Sequence, residues 1–128
     1  MESYWNLIEE IVKESDIILY VLDARLVRES RNSKIEEIIK TKRRAVIYVL
    51  NKSDLVSKQD LELGVEKLRR ETDSEIVCVS SKQKKTVRLL LTKIKQTFAK
   101  YGKRKDFIPI IKKPYREAKG DIVIGVVG

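Results

Sequence analysis

The sequence predicts an α/β fold with three layers, a mainly parallel sheet with helices on both faces. Three short apolar runs, at residues 17–22, 45–50 and 76–79, have the length and β-branched composition of strands that are buried on both faces. Helical patterns separate these runs, and strand–helix–strand repetition builds a parallel sheet through right-handed crossovers. At 128 residues the chain is long enough for one domain with its own core.

Three helices are predicted in the first part of the chain from apolar residues at helical spacing. The first covers residues 4–14. Ser33 and Glu36 have the spacing of a capping box, which predicts the start of the second helix. Ser57 and Asp60 predict the start of the third.

The second part of the chain is predicted to contain a fourth helix, a linker and a fourth strand. Thr86 is the expected N-cap of the helix, whose inward residues are expected to be Val87, Leu90, Leu91, Ile94, Phe98 and Tyr101. Residues 102–120 hold both prolines and many Lys and Arg, a composition typical of a linker. Residues 121–127 have the pattern of a buried strand. The expected sheet order is 121–127, 17–22, 45–50 and 76–79.

The residue types that are missing exclude several classes of chemistry. The chain has no His and one Cys, which excludes Ser-His-Asp catalysis, zinc clusters of Cys and His, and disulfides within the chain. We expect Cys78 to be a small buried apolar residue. Neither a signal peptide nor an apolar span of membrane length is present, so a cytoplasmic protein without a membrane partner is expected.

The positive charge is concentrated in one segment. The whole chain has a formal net charge of +9, and residues 82–119 carry fourteen Lys and Arg against two Asp and Glu. Such a segment favours an anionic partner, nucleic acid before a phosphate-bearing membrane. A solvated lysine-rich surface of the kind found in thermophile proteins is an equally good interpretation of the charge alone.

Polar residues follow the second and third predicted strands, as Asn51-Lys52-Ser53-Asp54 and Ser80-Ser81-Lys82. The carboxyl ends of parallel strands meet at one edge, where open α/β sheets bind ligands. One carboxylate can accept hydrogen bonds from both N1–H and the amino group of guanine, and Asp54 is the candidate. Adenine lacks this donor pair. Each loop alone has ordinary turn composition, but their shared position predicts a guanine site.

The other residues of the two loops have expected roles around the base. Asn51 would reach its other edge or connect the loops, while the stem of Lys52 would lie along one ring face. Lys82 would cover the opposite face, and the backbone N–H of Ser81 would donate to the guanine carbonyl. The predicted guanine-binding residues are Asn51, Lys52, Asp54, Ser80, Ser81 and Lys82. No catalytic residue and no metal ligand are predicted.

These motifs resemble those of the P-loop GTPases, in which Asn-Lys-x-Asp and Ser-Ala-Lys are the last two signature motifs; Ser81 replaces Ala. The phosphate-binding loop ordinarily comes first. Here residues 122–128 resemble the strand that leads into it, and Gly128 matches the first glycine of G-x-x-x-x-G-K-[ST]. The order is similar to that of circularly permuted GTPases, a group associated with ribosome assembly. That group also carries motifs similar to Asp23-Ala24-Arg25 and Ser30-Arg31-Asn32.

The resemblance implies GTP or GDP as ligand, Mg²⁺ in the complete protein, and rRNA or a ribosomal subunit as partner. It divides the chain into a guanine-recognition half (1–101), a basic linker (102–120) and the strand before the phosphate-binding loop (121–128). Gly128 would contact phosphate. The lysine of that loop, the Mg²⁺-binding Ser or Thr and both switch segments would lie outside this sequence. The fragment is therefore expected to bind GTP poorly and not to hydrolyse it.

Other interpretations remain open beside the resemblance. The chain would otherwise be a noncatalytic RNA-binding module that uses residues 82–119, or a structural half-domain that awaits a partner chain. For Asp23, Arg25 and Asn32 we expect loop capping rather than catalysis. The strand at 121–127 is expected to leave one edge open, which predicts an edge-to-edge or strand-swapped dimer, or fraying of that segment.

Overall fold

A single sheet of four parallel strands organises the molecule, in a computed structural model that describes residues 2–102 and 122–128. The strands are β1 (Ile17–Asp23), β2 (Ala45–Asn51), β3 (Glu75–Cys78) and β4 (Ile124–Val127). The helices are α1 (Glu2–Glu14), α2 (Val27–Ser30), α3 (Ser33–Thr41), α4 (Lys58–Thr72) and α5 (Lys84–Gly102), and a short 3₁₀ turn covers Ser53–Leu55.

The strand order β3-β2-β1-β4 confirms the predicted fold class and sheet order. β4 begins at Ile124, later than expected, and Asp121 lies outside the described residues. The predicted linker also lies outside them, except for Gly102, which ends α5.

The strand register determines which loops meet. Along β1 and β2 every residue is paired, from Ile17 opposite Ala45 to Asp23 opposite Asn51. Tyr20 lies opposite Val127 of β4. Because all pairs are parallel, the loops that follow the strands emerge at the same edge of the sheet.

Helices cover both faces of the sheet, as predicted. On one face Tyr20, Leu22 and Leu50 pack with apolar residues of α1, α3 and α4: Ile8, Val12, Ile35, Ile39 and Leu68. On the other face Leu19, Ile47 and Val77 pack against α5 through Leu90, Ile94 and Phe98. The alternation of side chains along each strand thus supplies two apolar surfaces, and both are used.

The start of α3 differs from the prediction. Asn32 is the N-cap, in an extended conformation, and its Oδ1 accepts hydrogen bonds from the backbone N–H groups of Lys34 (2.9 Å) and Ile35 (3.1 Å). Ser33 is already helical, so the predicted capping box of Ser33 and Glu36 is wrong. Helix α4 begins as predicted, because the Ser57 hydroxyl accepts from the Asp60 N–H at 3.2 Å.

Helix α5 begins at Lys84, so Thr86 is not its N-cap. Leu90, Ile94 and Phe98 face the sheet as expected, since residues four apart form one narrow stripe. Val87 and Leu91 are 43% and 54% exposed, and their predicted burial is wrong. They lie beside that stripe, where the sheet does not reach. The side chain of Tyr101 lies outside the part of the chain that the structure describes. Cys78, which was expected to be buried, is half-buried.

Candidate nucleotide-binding site

The loop that carries Asp54 is fixed to the end of the neighbouring strand. After β2 the chain turns at Lys52, whose φ of 63° is left-handed, into the 3₁₀ turn. Ser53 is buried there, and both its N–H (3.1 Å) and its hydroxyl (3.0 Å) donate to the carbonyl of Val79. The Val79 N–H in turn donates to the carbonyl of Leu50 at 2.9 Å. The backbone position of Asp54 is therefore set by β2 and β3 together.

Ser80 connects that loop with α5. Its side chain is fully buried, and its hydroxyl donates to Oδ1 of Asp54 at 2.8 Å and accepts from the N–H of Lys82 at 3.2 Å. Its own N–H donates to the hydroxyl of Thr86, in the first turn of α5, at 2.9 Å. The sequence predicts no role for Ser53 and predicts Thr86 as a helix cap, since neither spacing nor residue type indicates contacts between separate loops.

The Asp54 carboxylate keeps room for more hydrogen bonds. Its side chain is 19% exposed, and its Oδ2 lies 3.8 Å from the ammonium of Lys82, which is 77% exposed. A carboxylate offers about four lone-pair positions, and the Ser80 hydroxyl takes one of them. At least two positions remain for a pair of ligand donors. Because Lys82 is well exposed and beyond hydrogen-bond distance, it can move aside at little cost.

A second ionic group lies beside this site, at the end of β1. Arg25 binds Asp23 through two side-chain hydrogen bonds, Nε to Oδ1 (3.0 Å) and Nη2 to Oδ2 (2.8 Å), and a third comes from its N–H. These bonds hold the pKa of the Asp23 carboxyl well below its usual range. The ammonium of Lys52 lies 3.7 Å from Asp23 Oδ2, so its stem spans the space between the loops after β1 and β2.

Each residue of Ser30-Arg31-Asn32 has a structural partner. The Ser30 hydroxyl accepts from the N–H of Asp23 at 3.1 Å. Arg31 pairs with Glu36 on α3 (2.8 Å) and Glu71 on α4 (2.7 Å).

Asn32 caps α3, and its N–H donates to the hydroxyl of Tyr20 at 2.6 Å. After β1, the Arg25 N–H donates to the Asp23 side chain at 2.9 Å and closes a turn. These contacts confirm the loop capping that was expected for Asp23, Arg25 and Asn32.

Gly128 lies at the same edge of the sheet. It follows β4 and has a φ of 138°, and a Cβ built there would stand 2.2 Å from the carbonyl oxygen of Val21 in β1. Only glycine fits this position. The structure thus brings both predicted loops and Gly128 to one edge of the sheet, as expected. The roles of Asn51, Lys52, Asp54, Ser80, Ser81 and Lys82 toward a nucleotide stay predictions.

The described residues contain neither a metal cluster nor a membrane helix. No group of three or more Asp, Glu or Cys side chains within 2–102 and 122–128 is arranged to bind a metal ion. None of the helices in that part of the chain combines the length and the apolar character needed to cross a membrane.

Comparison with known proteins reveals similarity to a group that binds GTP. An uncharacterized GTP-binding protein of Methanocaldococcus jannaschii is 37% identical over 123 residues, which is 96% of this chain and 32% of that protein. The chain is similar to GTP-binding proteins. Nucleolar GTP-binding protein 2 of Saccharomyces cerevisiae is 43% identical over 54 residues, or 41% of this chain and 11% of that protein. No family model matches the sequence.

A solved structure supports the fold. The translation elongation factor SelB of Methanococcus maripaludis, in complex with the GTP analogue GppNHp, superimposes with a TM-score of 0.58 at 22% identity. The match covers 73% of this chain and 23% of SelB. In each of these comparisons the chain spans less than a third of the length of the known protein.

Proposed function

We propose that the chain forms the guanine-recognition part of a GTP-binding protein, with Asp54 as the residue that reads the base. The observation that carries this proposal is the Asp54 carboxylate, which Ser80 orients at the carboxyl edge of the sheet while leaving acceptor positions open. Guanine presents N1–H and an amino group side by side, and these two donors match those positions. The similarity to GTP-binding proteins over 96% of the chain supports the same assignment.

The other residues of the site would enclose the base. With its ammonium near Asp23, the stem of Lys52 is placed to cover one ring face. Lys82 would move from Asp54 to the other face, and the N–H of Ser81 would donate to the guanine carbonyl. Asn51 lies opposite Asp23 in the strand register, between the two loops.

We also propose that the protein is circularly permuted relative to ordinary P-loop GTPases. β4 comes last in the chain yet pairs with β1, next to the base site, and Gly128 closely approaches β1 there. Gly128 would then be the first glycine of the phosphate-binding loop, after a guanine-recognition half at 1–101 and a linker at 102–120. Mg²⁺ and GTP hydrolysis would depend on that loop and on the switch segments.

The proposed partner is rRNA or a ribosomal subunit. The name of nucleolar GTP-binding protein 2 of yeast supports this partner, because ribosomal subunits are assembled in the nucleolus. The protein would act where ribosomal subunits are assembled. In a cell without a nucleus, this place is the cytoplasm. A second copy of the chain is a further proposed partner, through the open edge of β4. If RNA binding by residues 82–119 were the whole function, the Asp54 site would be incidental.

A competition titration on the complete protein, with its phosphate-binding loop, tests the guanine site. Fluorescent GDP would be displaced by GDP, by inosine diphosphate, which lacks the amino group, and by ADP. Each lost hydrogen bond to a charged group costs about 1.5–3 kcal/mol, so we expect inosine diphosphate to be roughly 10- to 100-fold weaker than GDP, and ADP weaker still. Equal competition by ADP and GDP would contradict a guanine site.

A further inference from the structure

One exposed side of α5 is rich in positive charge. Lys84, Arg88 and Lys95 lie at positions i, i+4 and i+11, so they share one side of the helix, and all three are exposed. We call these three residues the basic face of α5. The helix Lys84–Gly102 contains six Lys and Arg and no Asp or Glu. With the described residues, none of the three forms an ion pair, whereas Lys93, on another side of the helix, pairs with Glu75 at 3.2 Å.

The charge of α5 contrasts with that of α4. Helix α4, Lys58–Thr72, carries four basic and four acidic residues. A solvated helix of Lys- and Glu-rich composition has this balanced pattern, because opposite charges three or four residues apart stabilise it. Like charges at the same spacing destabilise a helix by similar amounts. The basic face of α5 therefore does not serve the stability of its own helix, and it differs from an ordinary solvated surface of this chain.

We infer that the basic face of α5 binds the phosphate backbone of RNA. Lys84 and Lys95 are separated by eleven residues, or about 16 Å along the helix axis, a length that spans several phosphates of one strand. An anionic membrane fits less well, because an interfacial helix inserts its apolar stripe. Here Leu90, Ile94 and Phe98 pack on the sheet, and the apolar side chains that stay exposed on α5, Val87, Leu89 and Leu91, do not form a continuous stripe. The basic face of α5 is independent of the guanine site, and only the choice of RNA over DNA rests on the proposed ribosomal partner.

A charge-removal experiment with a matched control tests this surface. The triple variant Lys84→Gln, Arg88→Gln, Lys95→Gln removes three charges from α5. The control Lys58→Gln, Lys67→Gln, Arg70→Gln removes three exposed charges from α4. Binding of a fluorescein-labelled RNA duplex of 24 base pairs would be followed by fluorescence anisotropy between 50 and 200 mM KCl. The DNA duplex of the same sequence and vesicles of phosphatidylserine and phosphatidylcholine provide the other two arms.

The α5 variant should bind the RNA at least about 10-fold more weakly than the unaltered protein at 50 mM KCl. The slope of the logarithm of the binding constant against the logarithm of the KCl concentration should become smaller by about one for each lost phosphate contact. The control should bind within about 2-fold. Equal losses in both variants, no loss in the α5 variant, or no RNA binding by the unaltered protein would overturn the inference. Tighter binding to DNA, or binding to vesicles in place of RNA, would overturn the choice of RNA. GDP affinity, measured in parallel, should stay unchanged in both variants, so failure here is separable from failure of the guanine site.

Discussion

Ser80 is the residue on which the geometry of the base site depends. It is a fully buried hydroxyl whose partners, Asp54, Lys82 and Thr86, belong to two loops and a helix. A hydrogen bond to a carboxylate contributes more than one between neutral groups, and this one also limits the orientations of Asp54. The precision with which Asp54 presents its remaining acceptor positions thus comes from a buried neighbour.

Ser80→Ala should lower the GDP affinity of the complete protein. The fold should stay intact, because Ala fills nearly the same buried volume as Ser. Loss of a hydrogen bond to a charged group costs about 1.5–3 kcal/mol, which corresponds to a roughly 10- to 100-fold higher Kd in a fluorescence titration. Ser74→Ala is the matched control, since it makes the same chemical change before β3, at the opposite end of that strand. Equal affinities of the two variants would show that Asp54 needs no support from Ser80.

At the residue scale, sequence predicted which side chains come together but not how they are connected. Asn51, Asp54 and Lys82 could be placed at one edge because each follows a recognisable strand. The cap of α3 could not be chosen, since Asn32 and Ser33 are adjacent and both residue types cap helices. Only the structure shows that Asn32 is the extended one.

At the element scale, β4 is positioned by contacts distant in sequence. The backbone N–H of Asp16 donates to the carbonyl of Val123 at 2.7 Å, and its carboxylate accepts from the Val123 N–H at 2.8 Å. Gly125 packs against Ser15 so closely that a Cβ there would stand 2.2 Å from Oγ. Residues 15–16 thus fix the register of the strand that we propose leads into the phosphate-binding loop.

Gly125→Ala should destabilise the protein, by about 1–3 kcal/mol, because overpacking displaces either Ser15 or β4. Gly64→Ala, within α4, is the control: a Cβ there meets nothing within 4 Å, and Ala should stabilise the helix by about 0.5–1 kcal/mol. Urea denaturation measures both changes. Adding Ser15→Ala to the first variant removes the closest atom and should recover part of the loss. An unchanged midpoint for Gly125→Ala would contradict the close packing of β4 on α1.

All four strands and the long helices were predictable, whereas the short helical segments were not. Four strands follow from continuous apolar runs and four helices from apolar periodicity, and the strand order follows from the resemblance to P-loop GTPases. The four-residue helix α2 and the 3₁₀ turn at Ser53–Leu55 are too short to show any period. Val87 and Leu91 were assigned to the core because helical spacing defines a stripe but not the width of the surface that covers it.

At the scale of the whole molecule, β4 is an edge strand of the described sheet, next to β1 only. Val126 is 58% exposed, and residues 122–128 contain no charged side chain. Edge strands of this kind pair with other strands, and natural proteins commonly protect them with charge. The other edge strand, β3, does carry a charged residue, Glu75, which pairs with Lys93.

We therefore expect the 128-residue chain to self-associate through β4 at high concentration. Val126→Lys places a charge on this edge and should shift the average mass toward the monomer in multi-angle light scattering. The control Leu63→Lys adds the same charge on α4, where Leu63 is 61% exposed, and should leave the average mass in solution unchanged. A chain that is monomeric at millimolar concentration before any substitution would show that the open edge does not drive association.

A change in the specificity of the site would show whether Asp54 recognises guanine. Asp54→Asn keeps an oxygen that can accept from Ser80, and its amide can donate to the oxygen that xanthine carries in place of the amino group of guanine. Affinities for GDP and xanthosine diphosphate would be measured by calorimetry on the complete protein, with its phosphate-binding loop, and on the same protein with the substitution. Loss of the charged partner costs about 2–5 kcal/mol, so the variant should bind GDP at least about 30-fold more weakly and prefer xanthosine diphosphate. A variant that keeps the original preference for GDP would contradict the assignment of Asp54.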